Sequence, residues 1–127
     1  MSASAEELVR RVCDGWNEFA MEDFREIFAE DCTYQNIPIP GIHHGPDAIF
    51  EVLGAIGAGY EIKLRIDNLV TSPTLVMAER TEHFTRQDGT GSFELQAVGV
   101  FEVRDGRIQS WRDYFHFDPT LWGVEQA

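Results

Sequence analysis

Polar residues stand in three stretches of the sequence that otherwise have the apolar alternation of β-strands. Arg80 and Glu82 lie two positions apart in VMAERTEHF, Asp113 lies in WRDYFHF, and Tyr34 and Asn36 lie two apart in TYQNI. Side chains two positions apart on a strand point to the same face of the sheet. The spacing therefore predicts that Arg80 and Glu82 lie together on one face, and that Tyr34 and Asn36 do the same.

The acids and the arginine of these stretches are predicted to lie on apolar faces. Asp113 shares its face with Trp111, Phe115 and Phe117, so three aromatic side chains flank one carboxylate. Burial of charge is costly unless the charges are paired or used, which favours a functional site over a plain core. The structural alternatives are an ion pair that merely links strands and a carboxylate that is solvated at a strand end.

This set of groups suits proton transfer. Two acids on either side of Arg80 can divide the tasks of general base and general acid, because burial raises the pKa of a carboxyl group and a guanidinium lowers it. The Tyr34 hydroxyl and the Asn36 amide can hold a water molecule beside the acids.

The elements that position these groups divide the chain into a helical first part and a strand-rich second part. Helical spacing predicts helices at about 5–20, 21–30 and 45–59, and the first begins at the capping-box sequence SAEE. A short strand at 33–37 leads into an irregular loop at Pro38 and Pro40. Alternation then predicts antiparallel strands at 61–70, 75–85, 91–103 and 107–117, with Asp-Gly turns between some of them. This order is typical of an α+β fold.

Length and charge restrict the class of protein. A chain of 127 residues with 12% aromatic side chains predicts one domain, 1–127, with one core. Its net charge of −12 disfavours nucleic acid and anionic membranes as partners. The sequence has no membrane-span run and no signal-peptide pattern at its start, so we expect a cytoplasmic protein. The two distant cysteines and the adjacent His43 and His44 predict no metal site.

Four strings carry a resemblance to a known family. YQNIPIP at 34–40, ERTE at 79–82, GVF at 99–101 and WRDYF at 111–115 resemble the limonene-1,2-epoxide hydrolase family, and the similarity runs from about Glu6 to Thr120. That family belongs to the superfamily of nuclear-transport-factor-2-like and ketosteroid-isomerase-like proteins. The resemblance implies a cone-shaped (cystatin-like) fold in which N-terminal helices pack against a curved, mainly antiparallel sheet.

The resemblance also implies a role for each polar residue. Asp113 would be the general base, Tyr34 and Asn36 would help it to hold the attacking water, and Arg80 would bridge two acids. Glu82 would be the general acid that protonates the epoxide oxygen, with no cofactor. The family has Asp at the position of Glu82, and the extra methylene adds about 1.5 Å of reach.

A pocket for a terpene-sized or sterol-like apolar epoxide is predicted from the same strand parity. Its walls are predicted to include Ile37, Ile39, Leu53, Phe84, Leu95, Ala97, Trp111, Phe115 and Phe117, with Leu121 or Trp122 at the mouth. About half of these side chains are expected to belong to the plain core.

Two other functions are compatible with the same fold class. One is an isomerase like ketosteroid isomerase, or a polyketide-cyclase-like enzyme. The other is a non-catalytic module that binds apolar ligands. In each case Val98, Val100 and Tyr114 are predicted on the outer face of the sheet, and we expect a homodimer to cover them.

Overall fold

The computed structural model describes residues 4–15 and 21–116. Three helices and six strands follow one another along this part of the chain. They are α1 (Ala5–Asp14), α2 (Met21–Ile27), β1 (Phe28–Asn36), β2 (His43–His44), α3 (Gly45–Gly59), β3 (Tyr60–Thr71), β4 (Leu75–Arg86), β5 (Ser92–Arg104) and β6 (Arg107–Phe115).

The helices begin at the signals that the sequence carries. Ser4 caps α1, since its hydroxyl accepts from the Glu7 amide while the Glu7 carboxylate accepts from the Ser4 amide. Pro46 stands in the first turn of α3, where a missing amide hydrogen costs no helical hydrogen bond. The first predicted helix is present over Ala5–Asp14 but ends earlier than predicted, because Gly15 is its C-cap and leaves the helical conformation. Residues 16–20 of the prediction lie outside the described residues.

The second helix is shorter than predicted. It ends at Ile27 instead of near Glu30, and β1 begins at once with Phe28. Phe28 pairs with Ile108 of β6, and both side chains are buried. Pairing with a distant strand therefore overrides the local helical spacing of these residues.

The six strands form one sheet in the order β2-β1-β6-β5-β4-β3. Every neighbouring pair is antiparallel except β1 and β6, which are parallel. The β5–β6 hairpin turns at Asp105 and Gly106, whose φ angles of 54° and 77° are typical of a two-residue turn. The predicted α+β fold with a mainly antiparallel sheet is confirmed.

Two apolar clusters lie on the helical side of the sheet, and they meet at the polar residues of β4. The larger cluster joins α1, α2 and α3 to the sheet and includes Ala78. The smaller cluster contains Ile62, Phe84 and Leu95. Arg80 and Glu82 stand between Ala78 and Phe84 on β4, so the charged pair lies at the junction of the two clusters.

Candidate active site

A buried ion pair joins strands β4 and β6. The Arg80 guanidinium donates from Nη1 to Asp113 Oδ1 at 3.0 Å and from Nη2 to Asp113 Oδ2 at 2.9 Å. Arg80 is 0% exposed and Asp113 is 4% exposed. Although burial opposes the charge on Arg80, the adjacent Asp113 and Glu82 carboxyl groups outweigh it and raise the pKa of the guanidinium. Two parallel hydrogen bonds of this kind hold both partners in one orientation.

Trp111 supports the carboxylate of this pair, and sequence reasoning missed that role. Its indole Nε1 donates to Asp113 Oδ1 at 2.6 Å. The indole ring lies against Tyr34, Phe101 and Phe28, with centroid distances of 4.4, 5.2 and 6.1 Å. The two-residue spacing that puts Trp111 on the face of Asp113, and the need of a buried indole N–H for an acceptor, were the available signals.

Glu82 is held less tightly by the same arginine. Arg80 Nη2 donates to Glu82 Oε2 at 3.5 Å, which is longer than either bond to Asp113. Burial raises the pKa of Glu82 to about 7; Arg80 lowers it and the charge of Asp113 raises it further. The carboxyl group therefore holds a proton up to near-neutral pH.

Tyr34 and Asn36 reach the same place because β1 runs parallel to β6. Tyr34 pairs with Trp111 and Asn36 with Asp113 in the register of the two strands. The Tyr34 hydroxyl donates to Asn36 Oδ1 at 3.2 Å. Burial, followed by the nearby charge of Asp113, raises the pKa of the Tyr34 hydroxyl, so the hydroxyl remains a donor.

These groups border a cavity of about 240 Å³ on the helical side of the sheet. Glu82, Asp113, Tyr34 and Asn36 line it on the polar side. The other described residues that line it are Ile39, His43, Val52, Ile56, Phe84, Leu95 and Phe115. The cavity therefore brings apolar side chains together with two acids, a hydroxyl and an amide.

Four of the predicted wall residues do not line this cavity: Ile37, Leu53, Ala97 and Trp111. The ring of Trp111 is enclosed in the aromatic core instead. Ile37 is 37% exposed, in the turn that follows β1. Leu53 packs in the larger apolar cluster with Ile49, one turn before it on α3. Ala97 lies between Arg80 and Phe115 in the strand register instead of at the wall.

Three other predicted residues, Phe117, Leu121 and Trp122, lie outside the described residues. The wall contains three side chains that sequence reasoning missed: His43, Val52 and Ile56. Val52 and Ile56 are four positions apart on α3, so they share a face next to that of Leu53. His43 comes from the two-residue strand β2 and lies 5.9 Å from Tyr34 between ring centroids.

A larger cleft of about 770 Å³ lies near the β5–β6 turn, away from the buried ion pair. Its described lining includes Arg25, Asp31, Asp47, Arg104 and Arg107, and none of the acid–base residues. The smaller cavity, which these residues line, is therefore the candidate active site. Within residues 4–15 and 21–116, no group of three His, Cys, Asp or Glu side chains is arranged to hold a metal ion. No helix of that part has the length and apolar character to cross a membrane.

The family of the chain follows from comparison with known proteins. Residues 4–124 match the sequence profile of the limonene-1,2-epoxide hydrolase catalytic domain. The chain therefore belongs to the limonene-1,2-epoxide hydrolase family, as its resemblance predicts. It is 33% identical over 103 residues to the epoxide hydrolase EphG of Mycobacterium tuberculosis. That alignment covers 78% of this chain and 66% of EphG, so the chain spans just under two thirds of its relative's length.

Solved structures confirm the fold. A protein with a ketosteroid-isomerase-like fold from Catenulispora acidiphila, in complex with trimethylamine, superposes with a TM-score of 0.80 at 19% identity, over 97% of this chain and 96% of that one. A limonene-epoxide-hydrolase-like epoxide hydrolase of M. tuberculosis superposes with a TM-score of 0.74 at 24% identity, over 87% and 80% of the chains. The predicted cone-shaped, nuclear-transport-factor-2-like fold is confirmed.

The buried Glu82 carboxyl group couples the stability of the protein to pH. Its pKa of about 7 in the folded protein lies above the ordinary glutamate value of 4.5, so the folded state holds the proton more tightly than the unfolded chain. The resulting stabilisation is fully present below pH 4.5 and is lost as the pH rises through about 7. It amounts to at most about 3 kcal/mol. Glu82→Gln cannot titrate at this position. Between about pH 4.5 and 8.5 we therefore expect the free energy of unfolding of wild type to fall, relative to that of Glu82→Gln, by up to this amount.

Urea denaturation across this pH range measures the difference. The matched control is Glu79→Gln, an exposed glutamate on the same strand. For each variant, the difference from wild type in the free energy of unfolding is followed against pH. If this difference changed with pH to the same extent in both variants, the result would contradict a raised pKa of Glu82.

Proposed function

We propose that this chain is an epoxide hydrolase that adds water directly to an apolar epoxide and releases a diol. The observation that carries the proposal is the unequal sharing of the buried Arg80 guanidinium, which makes two short bonds to Asp113 and one long bond to Glu82. This sharing lets one buried acid be ionised while the other keeps its proton at the same pH. Membership of the limonene-1,2-epoxide hydrolase family supports the same reaction.

In this proposal Asp113 is the general base, and its Oδ2 atom takes the proton. Oδ1 accepts from both Arg80 and Trp111, whereas Oδ2 accepts only from Arg80 among the described residues. Each carboxylate oxygen has two acceptor positions, so Oδ2 retains one for a water molecule in the cavity. Tyr34 occupies the carbonyl oxygen of Asn36 and leaves the amide NH₂ of Asn36 to hold that water.

Glu82 is the general acid. It lines the cavity, and its pKa of about 7 keeps it protonated under mildly acidic to neutral conditions. The longer glutamate side chain in place of the family's aspartate accompanies the weak 3.5 Å contact with Arg80. A weaker contact with the cation favours the protonated form that the role requires.

The proposed step is balanced without a cofactor. The water oxygen forms a bond to one epoxide carbon as the bond from that carbon to the epoxide oxygen breaks. One water proton passes to Asp113, and the proton of Glu82 passes to the departing oxygen, which gives the diol. Proton transfer from Asp113 back to Glu82 restores the starting state. An isomerase that uses one carboxylate base and uncharged oxyanion donors would have no use for the doubly shared arginine.

The cavity guides the choice of substrate. Its volume of about 240 Å³ and apolar wall of Ile39, Phe84, Leu95 and Phe115 suit a terpene-sized epoxide better than a sterol-sized one. We therefore rank limonene oxide and styrene oxide above a steroid epoxide as test substrates.

Oxygen-18 labelling tests direct attack. With enzyme in excess over limonene oxide in ¹⁸O-water, we expect the diol of the first turnover to carry the label, because no enzyme oxygen joins the substrate. Mass spectrometry of diol and protein measures this outcome. Unlabelled diol in the first turnover, with label then appearing in the protein, would contradict the proposal.

Substitution of Asp113 tests the general base. Asp113→Asn keeps the shape of the side chain but cannot take the water proton, so we expect kcat to fall by about 10²–10⁴-fold with the fold preserved. Steady-state kinetics and circular dichroism measure the two effects. Asp105→Asn, in the exposed β5–β6 turn where Asn accepts the positive φ, is the control that should keep wild-type kcat. Wild-type kcat in Asp113→Asn would remove Asp113 from its role.

We further propose a cytoplasmic homodimer in which a second copy covers the outer face of the sheet. Val98 and Tyr114 are 36% and 44% exposed on that face, and Met77 beside them is 43% exposed. Val100 is not exposed as predicted but buried at 8%, because Met77 and Arg112 flank it in the register. The two buried cysteines are free thiols, which is compatible with a reducing compartment.

Light scattering during size-exclusion chromatography tests the assembly. We expect a mass of twice that of one chain for wild type and a shift toward the monomer for Tyr114→Lys, which puts a charge on the covered face. A wild-type mass equal to one chain would overturn the dimer.

A further inference from the structure

The Arg80–Asp113 pair has to cross an intervening strand. Arg80 lies on β4 and Asp113 on β6, and β5 runs between them. Neighbouring strands are about 4.8 Å apart, so the side chains bridge a distance of about 10 Å between backbones. The guanidinium and the carboxylate must therefore lie over the backbone of β5.

Gly99 is the residue of β5 beneath this bridge. It pairs with Ala78 on one side and with Asp113 on the other. A Cβ atom placed on Gly99 would lie closer than 3.0 Å to Arg80 Nη1, 2.9 Å from Asp113 Oδ1 and 2.8 Å from Phe101 Cε1. Real Cβ atoms essentially never approach other atoms so closely, so the two charged groups and a side chain at position 99 cannot share this space.

Backbone conformation is not the reason for this glycine. Gly89 and Gly106 have a φ of 77°, which favours glycine, whereas Gly99 lies within β5 and is not among the residues with positive φ. Alanine could adopt the backbone of Gly99 without strain of this kind. What position 99 requires is empty space above the strand.

We propose that Gly99 is a positioning residue for the acid–base pair, and the inference rests on the proposed function. The absence of a side chain lets Arg80 reach Asp113 across β5 with two short hydrogen bonds. Any Cβ at this position displaces the guanidinium from the carboxylate. The positive charge that separates the roles of Asp113 and Glu82 is then displaced as well. Gly99 acts through Arg80 and Asp113 and does not line the cavity.

Gly99→Ala tests the inference first in kinetics. We expect kcat for limonene oxide to fall about 100-fold, since a displacement on the order of 1 Å in a catalytic group has an effect of this size. KM should change less than about threefold because the cavity wall is untouched. The control is Gly54→Ala on the exposed side of α3, where a Cβ meets nothing within 4 Å and kcat should stay at the wild-type value. A wild-type kcat in Gly99→Ala would overturn the proposal.

A double-mutant cycle with Arg80→Lys separates this role from a general packing effect. Lysine lacks the Nη1 atom that the new Cβ meets, so Gly99→Ala should lower kcat and the urea midpoint much less in the Arg80→Lys background than in wild type. Equal losses in both backgrounds would contradict the proposal. If Gly99→Ala alone does not fold, folding of the double variant supports the proposal, and failure of both overturns it.

The unfolding part of the cycle requires no substrate. It decides the role of Gly99 beneath the bridge even if no epoxide is turned over. Absence of turnover by wild type would instead count against the proposed function.

Discussion

The unequal sharing of one buried guanidinium between two buried acids is the interaction on which the rest of the site depends. Arg80 gives two short hydrogen bonds to Asp113 and a single long one to Glu82. The cation therefore stabilises the charge of Asp113, while burial dominates at Glu82 and keeps its proton. In water both acids would ionise alike, so the proposed division of roles depends on the fold, which removes the three groups from solvent.

The architecture serves this interaction in three ways. The parallel pairing of β1 with β6 brings Tyr34 and Asn36 beside Asp113 although about 80 residues of chain separate them. The stacked ring of Trp111 holds the carboxylate in place through its indole N–H. The two apolar clusters on either side exclude water from the arginine. This exclusion matters because a solvent-exposed ion pair would contribute little free energy.

Strand parity and turn chemistry made much of this predictable from the sequence. The alternation around Arg80 and Glu82 indicates one shared face, and the Asp-Gly at 105–106 indicates the β5–β6 hairpin, because both signals are local. The end of α2 at Ile27 was not predictable, since pairing of Phe28 with distant Ile108 decides it. His43 was likewise missed, because only the pairing of the two-residue β2 with β1 brings it to the cavity.

Titration of the Glu82 carboxyl carbon by NMR, in protein labelled with ¹³C at the glutamate side chains, tests the division of roles most directly. The resonance that disappears in Glu82→Gln identifies the group. Because Glu82 is buried, we expect this resonance to titrate with a midpoint near 7. A midpoint at the ordinary glutamate value of 4.5 would mean that Glu82 is ionised in the folded protein at neutral pH, and would contradict its proposed role as the general acid.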